Sequence, residues 1–345
     1  MVQDGKPVGP DSVQVVFDDE RAVSDAGVML VATLAQRLGV EALAGQLVRL
    51  RRDRAGAANE RRKVMALIYA MVLGADSIDD SDVLGAGRTG RLLGGWVPAP
   101  STLGTFLRAF TFGHVRHLDA LLGRALERAW QAGAGPGAGR LVVDVDSFVG
   151  EVHGYAKQGA AYGYTKLLGY HPIRATRADT REALHIRLRK GSANTQKGIV
   201  RFCDELIARV DRAGATGVKL LRADSGFWNT KGLRAPREGG LAVLDRRADD
   251  QARRQDRRAD PRGLLTPVAD YPDSGEAQIA ETTLSGRRLI VRRVRTLGAH
   301  GELFATWKHY PIATNRDEDI MLVESEHRDH AVVEQVICDL KVVMA

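Results

Sequence analysis

Apolar positions in the first third of the chain recur at helical spacing. Val28, Val31, Leu34, Ala35 and Leu38 predict one helix that Gly39 stops, and Leu43, Leu47 and Leu50 predict a second. A third apolar run spans Val64 to Leu73 and ends at Gly74. Pro100-Ser101-Thr102 opens another helix, with Ser101 or Thr102 as its N-cap and Phe106 and Phe110 inside, and a last helix covers about Val115 to Trp130. Residues 1–20 read as a flexible arm and 21–132 as an all-helical N-terminal domain. The glycine-rich run 133–139 predicts a flexible linker and the clearest domain boundary of the chain.

Beyond the linker the period shortens to two. Leu141-Val142-Val143 opens a strand over 141–147, a second extended piece lies near Gly150–His153, and Gly154 to Gly169 reads as a long hairpin loop rich in Gly and Tyr. His171–Arg177 and Leu184–Arg189 read as further extended pieces. Gly198 to Arg212 is helical, with Ile199, Phe202, Leu206 and Val210 on one face, and Val218–Leu221 is a strand that runs into Arg222-Ala223-Asp224. Hairpins followed by a helix and another strand predict an α/β fold, a mixed sheet flanked by helices. Near the end, Glu326 to Lys341 is amphipathic, with Val333, Val336, Ile337 and Leu340 as its core stripe.

Alternation puts Asp144 and Asp146 on one face of the first strand and Val143 and Val145 on the other. If the strand ending in Asp224 lies beside it, the Asp144 and Asp224 carboxylates meet at the sheet end, where ligands of such sheets bind. Facing carboxylates repel, and a hard divalent cation removes that cost. On the terminal helix His327, His330, Glu334 and Lys341 share one flank, so a metal and a phosphate could be reached from one side. The alternatives are two unrelated turn aspartates and a solvated helix face. A zinc site from His327 and His330 lacks a third ligand at suitable spacing.

Charge gives these acids a context. The 345 residues carry a net charge of +7, with 44% hydrophobic and 27% charged positions, which reads as a soluble protein with an anionic partner, nucleic acid first in line. The basic turns of the helical region, among them Arg49, Arg51, Arg52 and Arg54, suit phosphate contacts. Between Glu182 and Asp204 stand five basic residues and no acid, Arg187, Arg189, Lys190, Lys197 and Arg201. Between Glu281 and Glu302 stand five more, Arg287, Arg288, Arg292, Arg293 and Arg295. Cys203 and Cys338 are the only cysteines, which argues against a disulfide framework and for a cytoplasmic setting. No apolar run approaches about 20 residues, so no membrane is expected as a partner.

The segments VVDVDSFVGEVHGYAKQGAAYGYTK, GYHP, LRKGSANTQKG, LRADSGFW, GRRLIVRRVR and DHAVVEQVICDLK together resemble the DDE transposases of bacterial insertion sequences. The resemblance is to the insertion-sequence family numbered thirteen-eighty, in the group with a β-rich insertion before the catalytic Glu, and it runs from about residue 20 to Lys341. It implies an RNase H-like catalytic core over 140–235 and 321–345, interrupted by an insertion over 236–320 that is β-rich from 264. It implies an acidic triad of Asp144, Asp224 and Glu334, with Asp146 as fallback for the first acid. It also implies DNA-end binding by the helical domain and cut-and-paste DNA transposition by a homodimer on paired ends. Double-stranded DNA, as terminal inverted repeats and as target, is the implied partner, near the nucleoid of the cytoplasm. Glu334 and Lys341 keep the spacing of the group's Tyr-Arg-Glu-Lys signature, with His327 at the Tyr position and His330 at the Arg position.

The implied chemistry uses two Mg²⁺ ions (Mn²⁺ as substitute) about 4 Å apart, bound by Asp144, Asp224 and Glu334. Lys341, His330, His327 and the two arginine-rich clusters are the expected DNA contacts. Two other functions stay open on sequence grounds, a decayed transposase that only binds DNA and an unrelated metal nuclease on the same core. Two features suggest an impaired enzyme. Residues 245–263 carry seven Arg and five Asp with no aromatic or β-branched residue, and are expected to be disordered. Lys341 is followed only by Val-Val-Met-Ala, which would leave the stripe on the last helix partly uncovered.

Overall fold

The computed structural model describes residues 23–51, 53–154, 156–227, 241–244, 265–269, 271, 276–284, 287–296 and 306–331. Its first part is helical: α1 (Val28–Arg37), α2 (Val40–Leu47), α3 (Glu60–Val72), α4 (Thr89–Leu92), α5 (Pro100–Arg108) and α6 (Phe112–Ala129). Gly39 takes a left-handed φ of +62°, which both ends α1 and opens α2. A Cβ there would lie 2.5 Å from the Arg128 guanidinium, which donates to the Leu38 carbonyl at 2.7 Å and to that of Gly39 at 3.2 Å. The end of α6 thus holds the α1–α2 corner. Pro100 is the first residue of α5 and Ala99 its cap, so the helix starts before the Ser101 or Thr102 cap expected; Pro lacks the N–H that the first turn leaves unpaired anyway. Leu43, Ala44, Val48, Leu50, Val64, Phe106 and Leu121 close a core between these helices.

The rest builds on one mixed sheet. Its strands are β1 (Leu141–Ser147), β5 (Ile173–Arg177), β6 (Ala183–Arg187), β7 (Lys219–Ala223), β8 (Leu241–Leu244), β9 (Thr266–Pro267), β10 (Glu276–Leu284), β11 (Arg287–Thr296) and β12 (Thr306–Thr314). The spatial order is β6-β5-β1-β7-β8-β12-β11-β10-β9. β7 lies parallel to both β1 and β8, and the other pairs are antiparallel. A second sheet joins β2 (Gly150–Glu151), which falls in the second extended piece expected, to β4 (Leu168–Tyr170) and β3 (Ala161–Tyr162), which form where a hairpin loop was expected. Helix α7 (Ile199–Ala213) follows β6, and α8 (Ile320–Arg328) follows β12.

Val143 and Val145 on β1 pack with Ile173, Leu184, Phe202, Leu206, Leu126 and Trp130 in one buried cluster. The last helix before the glycine-rich run therefore contributes to the same core as the sheet. That run is also fastened where a flexible linker was expected. The Gly137 carbonyl accepts from the Thr216 amide at 2.8 Å and from its hydroxyl at 3.2 Å, and Trp130 Nε1 donates to Glu182 at 2.8 Å.

The opposite face of the sheet is crossed by α8. Asp319 caps this helix by accepting from the Met321 and Leu322 amides. The helix thus begins upstream of the amphipathic stretch expected from Glu326, and it tightens into a 3₁₀ turn at Asp329–Ala331. Residues 245–263, Glu334, Lys341 and the stripe Val333, Val336, Ile337 and Leu340 lie outside the described residues.

Candidate active site at the end of the central strands

The parallel register pairs Asp144 with Arg222 and Val145 with Ala223, so the next step along the ladder sets Asp146 beside Asp224. The two-residue spacing is the same on both strands, and all four charged side chains emerge on the face away from the Val143–Val145 core.

The inner rung is closed. Asp144 is buried, and its Oδ1 and Oδ2 accept from Arg222 Nε at 2.7 Å and Nη2 at 2.8 Å. The third Arg222 nitrogen donates to the Glu326 carbonyl on α8. His330 adds its Nδ1 at 2.7 Å from Asp144 Oδ1. Burial would raise the Asp144 carboxyl, but the hydrogen bonds and positive charge of His330 and Arg222 outweigh it and hold the group below the usual carboxylate range. Both oxygens of the expected first acid are thus engaged inside the protein.

The outer rung is different. Asp146 is half-buried and Asp224 exposed. The Ser147 amide donates to Asp146 Oδ1 at 2.6 Å. Burial pushes the Asp146 carboxyl above its usual range, and the Asp224 charge pushes the same way; the Ser147 amide, His330 and Arg174 offset this only in part. Arg174 stands opposite Asp146 in the β1–β5 register and is fully buried. Two oxygen donors at a sheet end, one of them reluctant to ionise chiefly because of burial and in lesser part because of the other, fit a hard divalent cation. Among the described residues no three His, Cys, Asp or Glu side chains converge as a metal site, so a cation held by this pair would need further donors.

Ser147 is itself anchored. His171 is buried, with Nδ1 2.7 Å from the Ala193 carbonyl and Nε2 3.0 Å from Ser147 Oγ. A carbonyl can only accept, so Nδ1 carries the proton and Nε2 accepts from the Ser147 hydroxyl. Burial depresses the His171 pKa, and Arg189 lowers it further against the opposing Ala193 bond, so the ring is neutral near pH 7. The Tyr164 ring lies 5.9 Å from it and is 76% exposed.

The expected DNA contacts divide sharply. His327 is buried and stacked 6.0 Å from His330; burial, together with His330, Arg222 and Arg292, pushes its pKa down to about 3, so it is neutral and faces no solvent. Arg189 is buried and donates to the carbonyls of His171, Asn194, Thr195 and Lys197. Arg187 pairs with Glu205, as does the more exposed Arg201. On the long hairpin, Arg292 is buried against Glu324 and over the Tyr310 ring. Arg288 holds Glu281 and the carbonyls of Arg316 and Glu318. Arg293 holds Gln278 and lies over Trp307, and Arg295 pairs with Glu276. Arg287 opens β11 opposite Leu284. Lys190 and Lys197 are exposed. Most of the expected DNA cations therefore have internal partners, and His327, Arg189 and Arg292 are structural.

Sequence reasoning did not single out Arg222, Ser147, His171 or Tyr164. For Arg222 the signal was present, since Asp-x-Asp and Arg-x-Asp on adjacent in-register strands must pair rung by rung.

The sequence profile of a family described as "Transposase DDE domain group 1" matches residues 6–242. No curated protein matches the chain. Among solved structures, the chain is similar to "Cryo-EM structure of piggyBac transposase synaptic complex with hairpin DNA (SNHP)", at 12% identity and a TM-score of 0.45, over 92% of this chain and 72% of that one.

Proposed function

This chain belongs to the transposase DDE domain group 1 family, and from that premise we propose that it binds DNA ends and cuts and rejoins DNA strands with divalent cations. The observation that carries the reading is the Asp146–Asp224 pair at the ends of parallel neighbours β1 and β7. The strand order β6-β5-β1-β7-β8, with β5 reversed between two partners, supports an RNase H-like core. The motifs quoted above support a bacterial insertion-sequence transposase of the family numbered thirteen-eighty, acting in the cytoplasm as a homodimer on paired inverted repeats.

In this proposal Asp146, not Asp144, is the first acid. Asp144 already serves Arg222 and His330, and freeing it would strand a buried guanidinium. Asp146 and Asp224 would hold Mg²⁺ or Mn²⁺, with Glu334 as the third acid by resemblance. Such ions lower the pKa of bound water and stabilise the leaving oxygen at a phosphodiester. The chain's own residues set the stage for this. Ser147 fixes one Asp146 oxygen through its amide, and His171 fixes Ser147 through its hydroxyl. Asp144 and Arg222 pin β1 against β7 one rung below.

The test uses the full chain with linear DNA carrying the sequences that border its reading frame, in MgCl₂, MnCl₂, CaCl₂ or EDTA. Strand-specific cuts at a border in Mg²⁺ or Mn²⁺ that vanish in EDTA are expected. Border-specific binding without cuts would instead leave a DNA-binding protein.

A further inference from the structure

The two outer carboxylates stand where the sheet ladder gives out. β1 ends at Ser147, one residue past Asp146, and β7 ends at Ala223, one residue before Asp224. Backbone pairing loosens at such ends, so the acids need support from outside the strands. That support comes from the segment that follows β6. His171 Nδ1 donates to the Ala193 carbonyl at 2.7 Å, and its Nε2 accepts from the hydroxyl of Ser147, the neighbour of Asp146, at 3.0 Å. Two residues past Ala193, Thr195 meets the turn after β7, where a Cβ on Gly226 would fall 3.1 Å from Thr195 Cγ2 and 3.4 Å from Thr195 Cβ. Gly226 lies two residues past Asp224, in a 3₁₀ turn closed by the Phe227 amide on the Asp224 carbonyl at 3.0 Å.

One guanidinium gives this segment its shape. Arg189 is 8% exposed, and its Nη1 gathers the carbonyls of Asn194, Thr195 and Lys197 at 2.9, 3.1 and 3.1 Å. Its Nε donates to the His171 carbonyl at 2.7 Å, while the His171 amide donates to the Arg189 carbonyl at 3.2 Å. Three carbonyl oxygens aimed at one point repel one another unless a cation draws them together. Asn194 adds a turn of its own, its Oδ1 accepting from the Lys197 amide at 2.8 Å. The start of the segment is pinned by close packing. A Cβ on Gly191 would fall 2.1 Å from the Gly169 carbonyl and 2.2 Å from that of Ala161.

We infer that residues 190–197, gathered around Arg189, form a brace that steadies Asp146 and Asp224 together, with Arg189 and His171 as positioning residues of the cation site. The inference rests on the strand-cutting function proposed above and adds what holds its two acids beyond the strand ladder. One segment reaching both strand ends matters because such a site tolerates misplacement of only about 0.5 Å. Loosening the carbonyls at Asn194, Thr195 and Lys197 releases Ala193 on the Asp146 side and Thr195 on the Asp224 side, so both acids drift at once. Lysine in place of Arg189 keeps the charge and loses the planar fork that serves His171 and the segment together.

In the test the full chain is titrated with Mn²⁺, and the free ion is read by its paramagnetic resonance signal. Wild type is expected to take up Mn²⁺, and Asp146→Asn to lose that uptake. Arg189→Lys should weaken Mn²⁺ binding about ten- to a hundredfold, while border-DNA binding in EDTA stays at the wild-type level. Gly226→Ala crowds Thr195 and should weaken Mn²⁺ binding as well. Thr195→Ser removes the crowded methyl group and should restore binding in the double variant, a pattern that a general loss of stability would not follow. If Arg189→Lys does not fold, the Gly226→Ala pair decides. Folded Arg189→Lys with wild-type affinity overturns the brace. So does Gly226→Ala without a deficit, or with one that Thr195→Ser leaves in place. Wild type that takes up no Asp146-dependent Mn²⁺ refutes the cation-dependent reading itself, and the brace with it.

Discussion

Two parts of this molecule are rich in charge and differ in what the charge does. Beneath α8, Asp144, Arg222 and His330 form one network, Arg292, Glu324 and Arg328 a second, and Arg140, Arg316 and Glu326 a third. Their side chains are mostly buried and paired with one another. At the mouth, Asp146 and Asp224 push against each other, and Lys157, Lys166 and Lys190 stand exposed beside bare tyrosines. A charge closed into a buried network is architecture; one that reaches the surface at a strand end is within reach of a ligand. Counting basic residues along the sequence cannot separate the two.

The largest effect expected from this contrast is on catalysis. Asp146→Asn should reduce cleavage of border DNA to background while denaturant stability stays the same or rises, because it removes a repelling, reluctantly ionised carboxylate. Cutting by Asp146→Asn at the wild-type rate would return the role to Asp144.

Next comes Asp144→Ala, which should cost about 3–5 kcal/mol in urea denaturation, since it leaves Arg222 buried without its carboxylate. A loss below about 1 kcal/mol would mean that the inner rung is not architecture.

The third effect is on pH. His327 is surrounded by His330, Arg222 and Arg292, with Asp144 as the opposing charge. Its folded pKa of about 3 lies below the unfolded value near 6.5, so the unfolded chain binds more protons between these limits. Its contribution is fully present above about pH 6.5 and is lost as pH falls toward 3. Asp144, also depressed, loses stability in the same direction. Unfolding free energies from urea titrations between pH 7.5 and 4 should fall by an amount on the order of a few kcal/mol, and His327→Leu should flatten the decline. The same decline in the variant would place the titrating group elsewhere.

The smallest change in stability, and the sharpest contrast, lies among the cations. Lys157→Gln, Lys166→Gln and Lys190→Gln combined should shift stability by no more than about 0.5 kcal/mol yet lower the salt exponent of DNA binding by about 2–3. Arg292→Ala should do the reverse, lowering stability and leaving the exponent unchanged. The opposite pattern would erase the distinction between the two regions.

Much of the fold was open to reading. The strand over 141–147, the helix from Gly198 and the strand into Arg222 appear within a residue or two of their expected bounds, because each carries its own periodicity. The carboxylates were legible as a sheet-end cluster, and the resemblance named Asp144 with Asp146 as fallback, a choice that alternation could not check because it gives both the same face. The roles of the arginines were hidden for another reason. Arg292 meets Glu324, Arg288 meets carbonyls at Arg316 and Glu318, and Arg140 meets Glu326, partners far along the chain that only the tertiary fold brings near. Of the small β2–β4–β3 sheet only β2 was foreseen, as the extended piece near Gly150; β3 and β4 escaped notice because they are two and three residues long, too short to show alternation.

The inner rung has one more consequence, which concerns alignment. Adjacent parallel strands can slide, and a slip by one residue would set Arg222 against Val143 or Val145 and leave two buried charges facing aliphatic side chains. The penalty for that error is far larger than the mild repulsion between Asp146 and Asp224, so the strands find one offset with or without a cation. The spacing of the outer carboxylates is then inherited from the backbone, roughly 4.8 Å between neighbouring strands, and needs no attraction of their own. A substitution that weakens Arg222 should therefore blur the position of both acids at once, though it touches neither Asp146 nor Asp224.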